Sequence, residues 1–183
     1  VTGEGGMIVT NDDDLYVKAL KIADQGRNPS KVFWIDEHGV KFKMSNVQAA
    51  LGLAQIQRAD TNIQMKRRIF QWYNARLGKS KVIAMNREIK NAKSIYWMSS
   101  IRLLDGCRVN RDELIQILKL KNIDSRPVFP AISQYPIWNS NQQAQPNAKY
   151  IGQTSLNLPS GVALSKAQVD YVCDVILEAV SVA

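Results

Sequence analysis

The spacing of apolar and polar positions near the start of the chain predicts one strand followed by one helix. Residues Met7–Thr10 form a short apolar stretch after the glycine-rich segment TGEGG. Asn11 can cap a helix, and Asp12–Asp14 would place negative charge at the positive end of its dipole. The helix is predicted to end near Gln25, because Gly26 can adopt the left-handed conformation that closes many helices.

A second helix is predicted from Ser45 to about residue 58. Ser45 and Gln48 have the spacing of a capping box. Apolar side chains then recur with helical spacing. They are Val47, Ala50, Leu51 and Ala54. Because the residues between them are also mostly small or apolar, this helix is predicted to be buried. A more polar, amphipathic helix is predicted from about Asp60 to Leu77.

The rest of the chain alternates apolar runs with helical patterns in the order β-α-β-β-α. The predicted strands are Ile95–Leu104, Ile123–Phe129 and Thr154–Leu158, and the predicted helices are Arg111–Lys121 and the segment after Ser165. Asn110 caps the first of these helices, and Ser165 and Gln168 form a capping box for the second. Residues 135–150 are predicted as a loop with a short helix. This order favours a small α+β lobe with helices on one face of an antiparallel sheet.

These patterns divide the chain into three parts. Residues 1–58 contain one strand and an apolar helix, which is too little to form a sheet or a complete core. Residues 59–79 form a connecting helix, and residues 80–183 form the α+β lobe. Within the first part, residues 27–43 lack periodicity but carry Trp34 and Phe42. A long irregular segment with aromatic side chains is typical of a functional loop.

The composition is that of a soluble protein, which we expect to be cytoplasmic and free of membrane contact. Hydrophobic residues make up 45% of the 183 residues, yet no apolar run approaches the roughly 18 residues of a spanning helix. Cys107 and Cys173 are too far apart in sequence to suggest zinc or a disulfide framework, and no metal site is predicted.

The chain is basic, with 24 Lys and Arg against 16 Asp and Glu, for a net charge of +8. Such a charge could attract a nucleic acid or a smaller phosphorylated ligand, or it could belong to basic side chains that are only solvated. The basic residues are spread along the chain and are not interleaved with aromatic residues. Solvated surface is therefore the favoured interpretation, and no nucleic-acid partner is expected.

Lys41 and Lys43 are candidates for binding an anion. They come just before the second helix, whose free amides and dipole attract negative charge at its start. Two solvated lysines on a loop are the alternative. Arg126, in SRPVFP, could contact a ligand or form a surface ion pair, and Trp34 could line a cleft or anchor its loop. His38 has no serine or cysteine with which to form a catalytic triad.

Five segments resemble the DegT/DnrJ/StrS family of sugar aminotransferases. In chain order they read TGEGGMIVTNDDDL, KMSNVQAALGLAQIQ, IYWMSSIRL, DSRPVFP and LNLPSG. Within the family, YWM and RPVF are most similar to the GDP-perosamine synthase group. The resemblance covers nearly the whole chain. It implies the α/β fold type I architecture of pyridoxal phosphate (PLP) enzymes, with residues 1–58 as the end of the large domain and residues 80–183 as the small domain.

The resemblance also implies a reaction. Family members transfer an amino group, usually from glutamate, to a nucleotide-linked keto-deoxy sugar used for surface polysaccharides or other glycans. They act as homodimers with shared active sites. Their PLP lysine lies a few residues before the TGEGG segment, which here would precede Val1. Since a transaminase needs that amine to hold PLP and to move protons, this chain is expected to lack a catalytic residue and to be inactive alone.

Four positions match ligand-contacting positions of the family. Lys41 stands where an asparagine reaches across the dimer to the partner's cofactor phosphate, and a lysine can also bind phosphate. Trp34 matches an aromatic residue near the sugar. Arg126 and Phe129 match the R-P-x-F segment beside the substrate cleft. The resemblance therefore assigns Lys41 to the cofactor, and Trp34, Arg126 and Phe129 to the substrate.

Two alternatives remain open at this stage. One is the related branch of nucleotide-sugar 3-dehydratases, in which a histidine replaces the PLP lysine at a position that would precede Val1. The other is a non-catalytic, truncated product that serves only as an interaction module.

Overall fold

The computed structural model describes residues 2–138 and 145–180. The chain forms two compact units, Val1–Ala59 and Asp60–Ala183. The first unit contains helices α1 (Asp13–Ala23) and α2 (Asn46–Gln57). Helix α3 (Ala59–Leu77) begins at the boundary and belongs to the second unit. The further elements of the second unit are β1 (Ile83–Met85), β2 (Ser100–Leu103), α4 (Arg111–Leu120), β3 (Arg126–Pro127), a short 3-10 turn (Ile132–Gln134), α5 (Pro146–Thr154), β4 (Ser155–Asn157) and α6 (Lys166–Val180).

The helix starts follow local capping chemistry. Helix α2 has the predicted capping box, in which the Gln48 amide donates to Ser45 Oγ and the Ser45 amide donates to Gln48 Oε1. The same reciprocal pair joins Ser165 and Gln168 at the start of α6. Helix α1 begins one residue later than predicted, because Asp12, and not Asn11, accepts the Leu15 amide at 3.0 Å. These local signals made the helix predictions accurate.

Two predictions for the first unit are wrong in the described residues. Residues 7–10 form no strand, because residues 2–59 contain two isolated β-bridges but no second strand with which to pair. Helix α2 has no buried residue, and Val47 and Ile56 are among its exposed apolar side chains. An apolar sequence favours burial only where another element is available to cover it.

The second unit is built on a four-stranded antiparallel sheet in the order β1-β2-β4-β3. The sheet agrees with the predicted α+β lobe, but its strands are shorter than the apolar runs suggested. Strand β3 has two residues, and one of them is Pro127, which has no amide hydrogen to donate to the ladder. Strand β1 was not predicted. Its three residues are too short for a recognisable alternation, and they pair with β2 in the folded chain.

One face of the sheet forms the core together with α3, α4 and α6. Residues Ile83, Ile101 and Leu156 point to this face, as the register pairs of the strands require. The helices contribute buried apolar side chains against it. They include Tyr73 and Leu77 of α3, Leu114 and Leu118 of α4, and Val169 and Ile176 of α6. The predicted connecting helix is thus part of the core of this unit.

Helix α5 departs from the prediction that the helices cover one face. On β2, Ile101 and Leu103 face the core, so Arg102 between them faces the opposite side of the sheet. Tyr150 of α5 packs there, with the guanidinium carbon of Arg102 5.4 Å from its ring centroid. The sheet is therefore covered on one face by three helices and contacted on the other by α5.

No helix within residues 2–138 and 145–180 is long and apolar enough to span a membrane.

The packing of α4 gives a matched pair of variants. Leu118 is fully buried and Leu120, two residues later on the same helix, is 83% exposed. We expect Leu118→Ala to lower the free energy of unfolding by about 2–5 kcal/mol through lost contacts and a cavity. Leu120→Ala should change it by less than about 0.5 kcal/mol. Urea denaturation of the two variants and the unmodified chain measures both effects, and equal losses would contradict the assigned orientation of α4.

Candidate functional site

The first unit contains an open groove with a cavity volume of about 970 Å³. Its lining residues come from the glycine-rich segment, from α1, from the segment before α2 and from the first turns of α2. They are residues 4–10, Tyr16, Ala19, Leu20, Ala23, residues 41–44 and Gln48. The walls are mainly apolar, and the ionic side chains among them are Glu4, Lys41 and Lys43. Such a groove, largely apolar with few charged groups, is typical of a small-molecule site.

Backbone hydrogen bonds place Lys41 beside the end of α1. The Val40 amide donates to Ile22 O at 2.8 Å, and the Phe42 amide donates to Ala23 O at 3.0 Å. Asp24 and Lys41 form an isolated antiparallel bridge. The backbone of residues 40–42 is thus held along the last turn of the helix, and this attachment sets where the side chain of Lys41 begins.

Two glycines permit this attachment. Gly26 has a φ of +69°, and its amide donates to Lys21 O at 2.9 Å, which closes α1. A Cβ on Gly39 would lie 2.1 Å from the Gly26 amide nitrogen. The sequence predicted Gly26 as a helix terminator, but only the structure brings Gly39 against it. Larger residues at either position would push the two backbone segments apart.

Lys41 and Lys43 differ in their partners. Lys43 Nζ lies 3.3 Å from Asp24 Oδ2 and forms an ion pair with it. Lys41 Nζ donates to Lys43 O at 3.1 Å, and no carboxylate within residues 2–138 and 145–180 pairs with it. Its charge is therefore neutralised by no acid of the described chain. With the first turn of α2 also at the groove, an incoming anion would meet both a lysine and a helix start.

Trp34 lies on a loop whose base is tied to α1 by ion pairs. Lys21 Nζ is 3.1 Å from both Asp36 Oδ2 and Glu37 Oε1. Hydrogen bonding to Glu37 and then to Asp36 raises the pKa of Lys21, and Lys21 lowers the pKa of Asp36. Trp34 is 56% exposed, with Lys31 Nζ 5.3 Å from the centroid of its ring. The anchored loop therefore presents an aromatic surface to solvent.

Arg126 and Phe129 lie in the second unit. Arg126 is on the edge strand β3, where its guanidinium is 3.5 Å from Asp124 Oδ2 and its side chain is 76% exposed. Phe129 is also exposed. An exposed ion pair at that distance is weak, so it leaves Arg126 available to another anion. Each unit thus carries two of the four predicted contact residues.

The structure adds groups that the sequence interpretation did not assign to a site. Gln48 was recognised as a capping residue, but it also lines the groove. In the second unit, Lys66 of α3 donates to Trp97 O at 2.9 Å and to Ser160 O at 2.6 Å, and burial lowers the pKa of Lys66. Tyr73 donates to Pro159 O at 3.0 Å. No local pattern indicated that these side chains hold the LPSG segment (residues 158–161), since the partners are far away in sequence.

The fold is that of the sugar aminotransferases. Helicobacter pylori PseC, an aminotransferase involved in the biosynthesis of pseudoaminic acid, matches 98% of this chain with a TM-score of 0.87 at 21% sequence identity. The aminotransferase TlmJ from Streptoalloteichus hindustanus matches 96% with a TM-score of 0.85. This chain covers 49% and 47% of those two chains, respectively.

The chain belongs to the DegT/DnrJ/EryC1/StrS aminotransferase family, whose profile matches residues 1–177. It is 38% identical over 177 residues to the GDP-perosamine synthase of Escherichia coli O157:H7, an alignment that covers 97% of this chain and 48% of the relative. It is 26% identical over 181 residues to Bacillus subtilis EpsN, provisionally named a pyridoxal phosphate-dependent aminotransferase, with 96% and 46% covered. The chain therefore spans about half the length of these relatives, and the predicted family is confirmed.

The contact between Gly39 and Gly26 can be tested directly. We expect Gly39→Ala to separate the two backbone segments, because the added Cβ would overlap a backbone nitrogen. Amide hydrogen exchange in residues 24–42 should become faster, as measured by mass spectrometry of peptides. Gly6→Ala is the matched control in the same unit, since its Cβ would meet nothing within 4 Å. Unchanged exchange in Gly39→Ala would show that the glycine contact does not hold the loop.

Proposed function

We propose that this chain is the C-terminal part of a PLP-dependent aminotransferase that transfers an amino group from glutamate to a nucleotide-linked keto-deoxy sugar. Membership of the family and the GDP-perosamine synthase relatives support the reaction class. The observation that carries the proposal is the position of Lys41. It lies in the groove of the first unit, where it forms no ion pair with a carboxylate of the described chain.

The residues at the groove fit the phosphate end of PLP. A phosphate group requires positive charge and hydrogen-bond donors, and Lys41 supplies both beside the start of α2. The glycine-rich wall leaves the backbone open at this point, since a Cβ on Gly6 would meet nothing within 4 Å. We propose that Lys41 binds the cofactor phosphate of a second copy of the enzyme, so that the active sites of a homodimer are shared.

The other predicted contacts suit a sugar nucleotide. The exposed ring of Trp34 offers an apolar surface for a sugar or a base. Arg126 offers an exposed guanidinium whose one ion pair is weak. Phe129 offers a second exposed aromatic surface, three residues before the 3-10 turn that begins at Ile132. We propose that these three side chains bind and orient the substrate.

The amine that bonds to PLP is proposed to lie outside residues 1–183, before the TGEGG segment. When bound, PLP supplies the electron sink that allows an amino group to move between donor and acceptor. In this proposal Lys41 contributes charge to phosphate binding and forms no covalent bond to the cofactor. The chain by itself is then unable to catalyse transamination.

The role of Lys41 predicts a loss of cofactor affinity. In the complete enzyme, we expect Lys41→Ala to weaken PLP retention by about 10-fold or more, the usual size of a lost charged hydrogen bond. Lys41→Arg should retain most of the affinity. Lys18→Ala is the matched control, because Lys18 is exposed on α1 and does not line the groove. Equal retention in Lys41→Ala and Lys18→Ala, measured by dialysis and absorbance, would remove the proposed role.

The location of the reactive amine predicts the outcome of reductive trapping. We expect this chain alone, treated with PLP and borohydride, to show only slow labelling spread over exposed lysines, because the amine that bonds to PLP is proposed to lie before the TGEGG segment. Peptide mass spectrometry locates the label. A single saturable adduct, for example on Lys41 and absent from Lys41→Arg, would contradict the proposal that the chain lacks its own PLP lysine.

A further inference from the structure

Arg102 lies on the face of the sheet that points away from the core. It is in the centre of β2, pairs with Ala84 of β1 and with Ser155 of β4, and so shares a face with those two residues. The next row on this face joins Ser100, Asn157 and Arg126 across three strands. This face is distinct from the groove of the first unit, since every residue named here belongs to the second unit.

The guanidinium of Arg102 lacks an acid partner. Its Nε is buried and makes no hydrogen bond within residues 2–138 and 145–180. The guanidinium carbon lies 5.4 Å from the centroid of the Tyr150 ring. The half-buried arginines Arg67, Arg76 and Arg111 differ, because each pairs with a carboxylate. A partly buried charge is costly without a partner, and buried donors in native proteins are almost always satisfied.

A second polar group on this face is also without a partner. Ser155 is 3% exposed, and its Oγ makes no hydrogen bond with the described residues, although it lies opposite Arg102 in the ladder. The neighbouring row is already satisfied, since Ser100 Oγ donates to Asn157 Oδ1 at 2.6 Å. Among the residues named on this face, the buried groups without a hydrogen-bond partner are therefore the charged guanidinium of Arg102, at Nε, and the hydroxyl of Ser155.

We propose that Arg102 and Ser155 form a binding site for an oxyanion, a carboxylate or a phosphate. The ring of Tyr150 lies against the guanidinium, whose carbon is 5.4 Å from the ring centroid. The two terminal nitrogens, which unlike Nε are not buried, are left to donate to the anion. A planar fork of this kind binds two oxygens of one group, and the Ser155 hydroxyl donates to the same anion. Access is from the solvent side, because Arg102 is only half-buried and Tyr150 is 39% exposed.

An anion-binding role and a purely structural role of Arg102 predict different responses to added anions. If Arg102 served only to support α5 through Tyr150, anions would have no specific effect on its N–H groups. If it binds an oxyanion, the Arg102 Nε–H resonance should shift saturably in a titration of the full chain. Inorganic phosphate and acetate, each compared with chloride at equal ionic strength, distinguish the phosphate source from the carboxylate source.

The variants separate binding from folding. We expect Arg102→Met to weaken the apparent affinity for the preferred anion by about 10-fold or more, as judged by the concentration dependence of thermal stabilisation. Arg68→Met is the matched control, since Arg68 is exposed on α3 and its guanidinium donates to Met65 Sδ. Arg68→Met should leave the affinity unchanged within about twofold, as expected for an exposed charge.

The outcomes decide the proposal. A saturable shift with phosphate or with acetate, lost in Arg102→Met and retained in Arg68→Met, supports the site and identifies its ligand class. No saturable shift with either anion overturns it, as does an equal response in Arg102→Met. Should Arg102→Met fail to fold, Arg102→Lys keeps the charge but removes the fork, and an unweakened affinity in that variant also overturns the proposal.

Discussion

The alternation of side chains along β2 is the constraint on which the second unit depends. Ile101 and Leu103 are buried against three helices, and a one-residue slip in register would place Arg102 in their position. Burying that charge in the core would cost several kcal/mol, whereas burying the two apolar side chains is favourable. The same alternation places Arg102 opposite Ser155 on the other face, so the packing that stabilises the sheet also creates the cationic position there.

In the first unit, the position of the candidate site depends on a contact between two backbone segments. The close approach of Gly39 to Gly26 holds residues 40–42 along the end of α1 and sets the position of Lys41. Some of the basic side chains behind the net charge of +8 form ion pairs, such as Lys43 with Asp24. Lys41 and Arg102 are among those that pair with no carboxylate of the described chain.

The accuracy of the sequence predictions follows from the range of the interactions involved. The capping boxes at Ser45 and Ser165 act within four residues, so the helices that they begin were predicted correctly. Strands depend on partners that are distant in sequence. Residues 7–10 have no strand to pair with among residues 2–59, and β1 forms only because β2 accepts it. The burial of α2 was likewise predicted from its apolar sequence, although exposure depends on what packs against a helix.

The sequence by itself determined the helices, the α+β character of the second unit and the family, because these rest on local capping, periodicity and the order of short motifs. It also made Lys41 a candidate for anion binding, through its position before a helix start, and that role stays a prediction. Only the tertiary structure decided that Gly39 meets Gly26, that Lys66 holds the LPSG segment, and that Arg102 and Ser155 share one face. Each of these joins residues that are separated in the chain, and their proximity depends on packing and strand register, which local sequence does not specify.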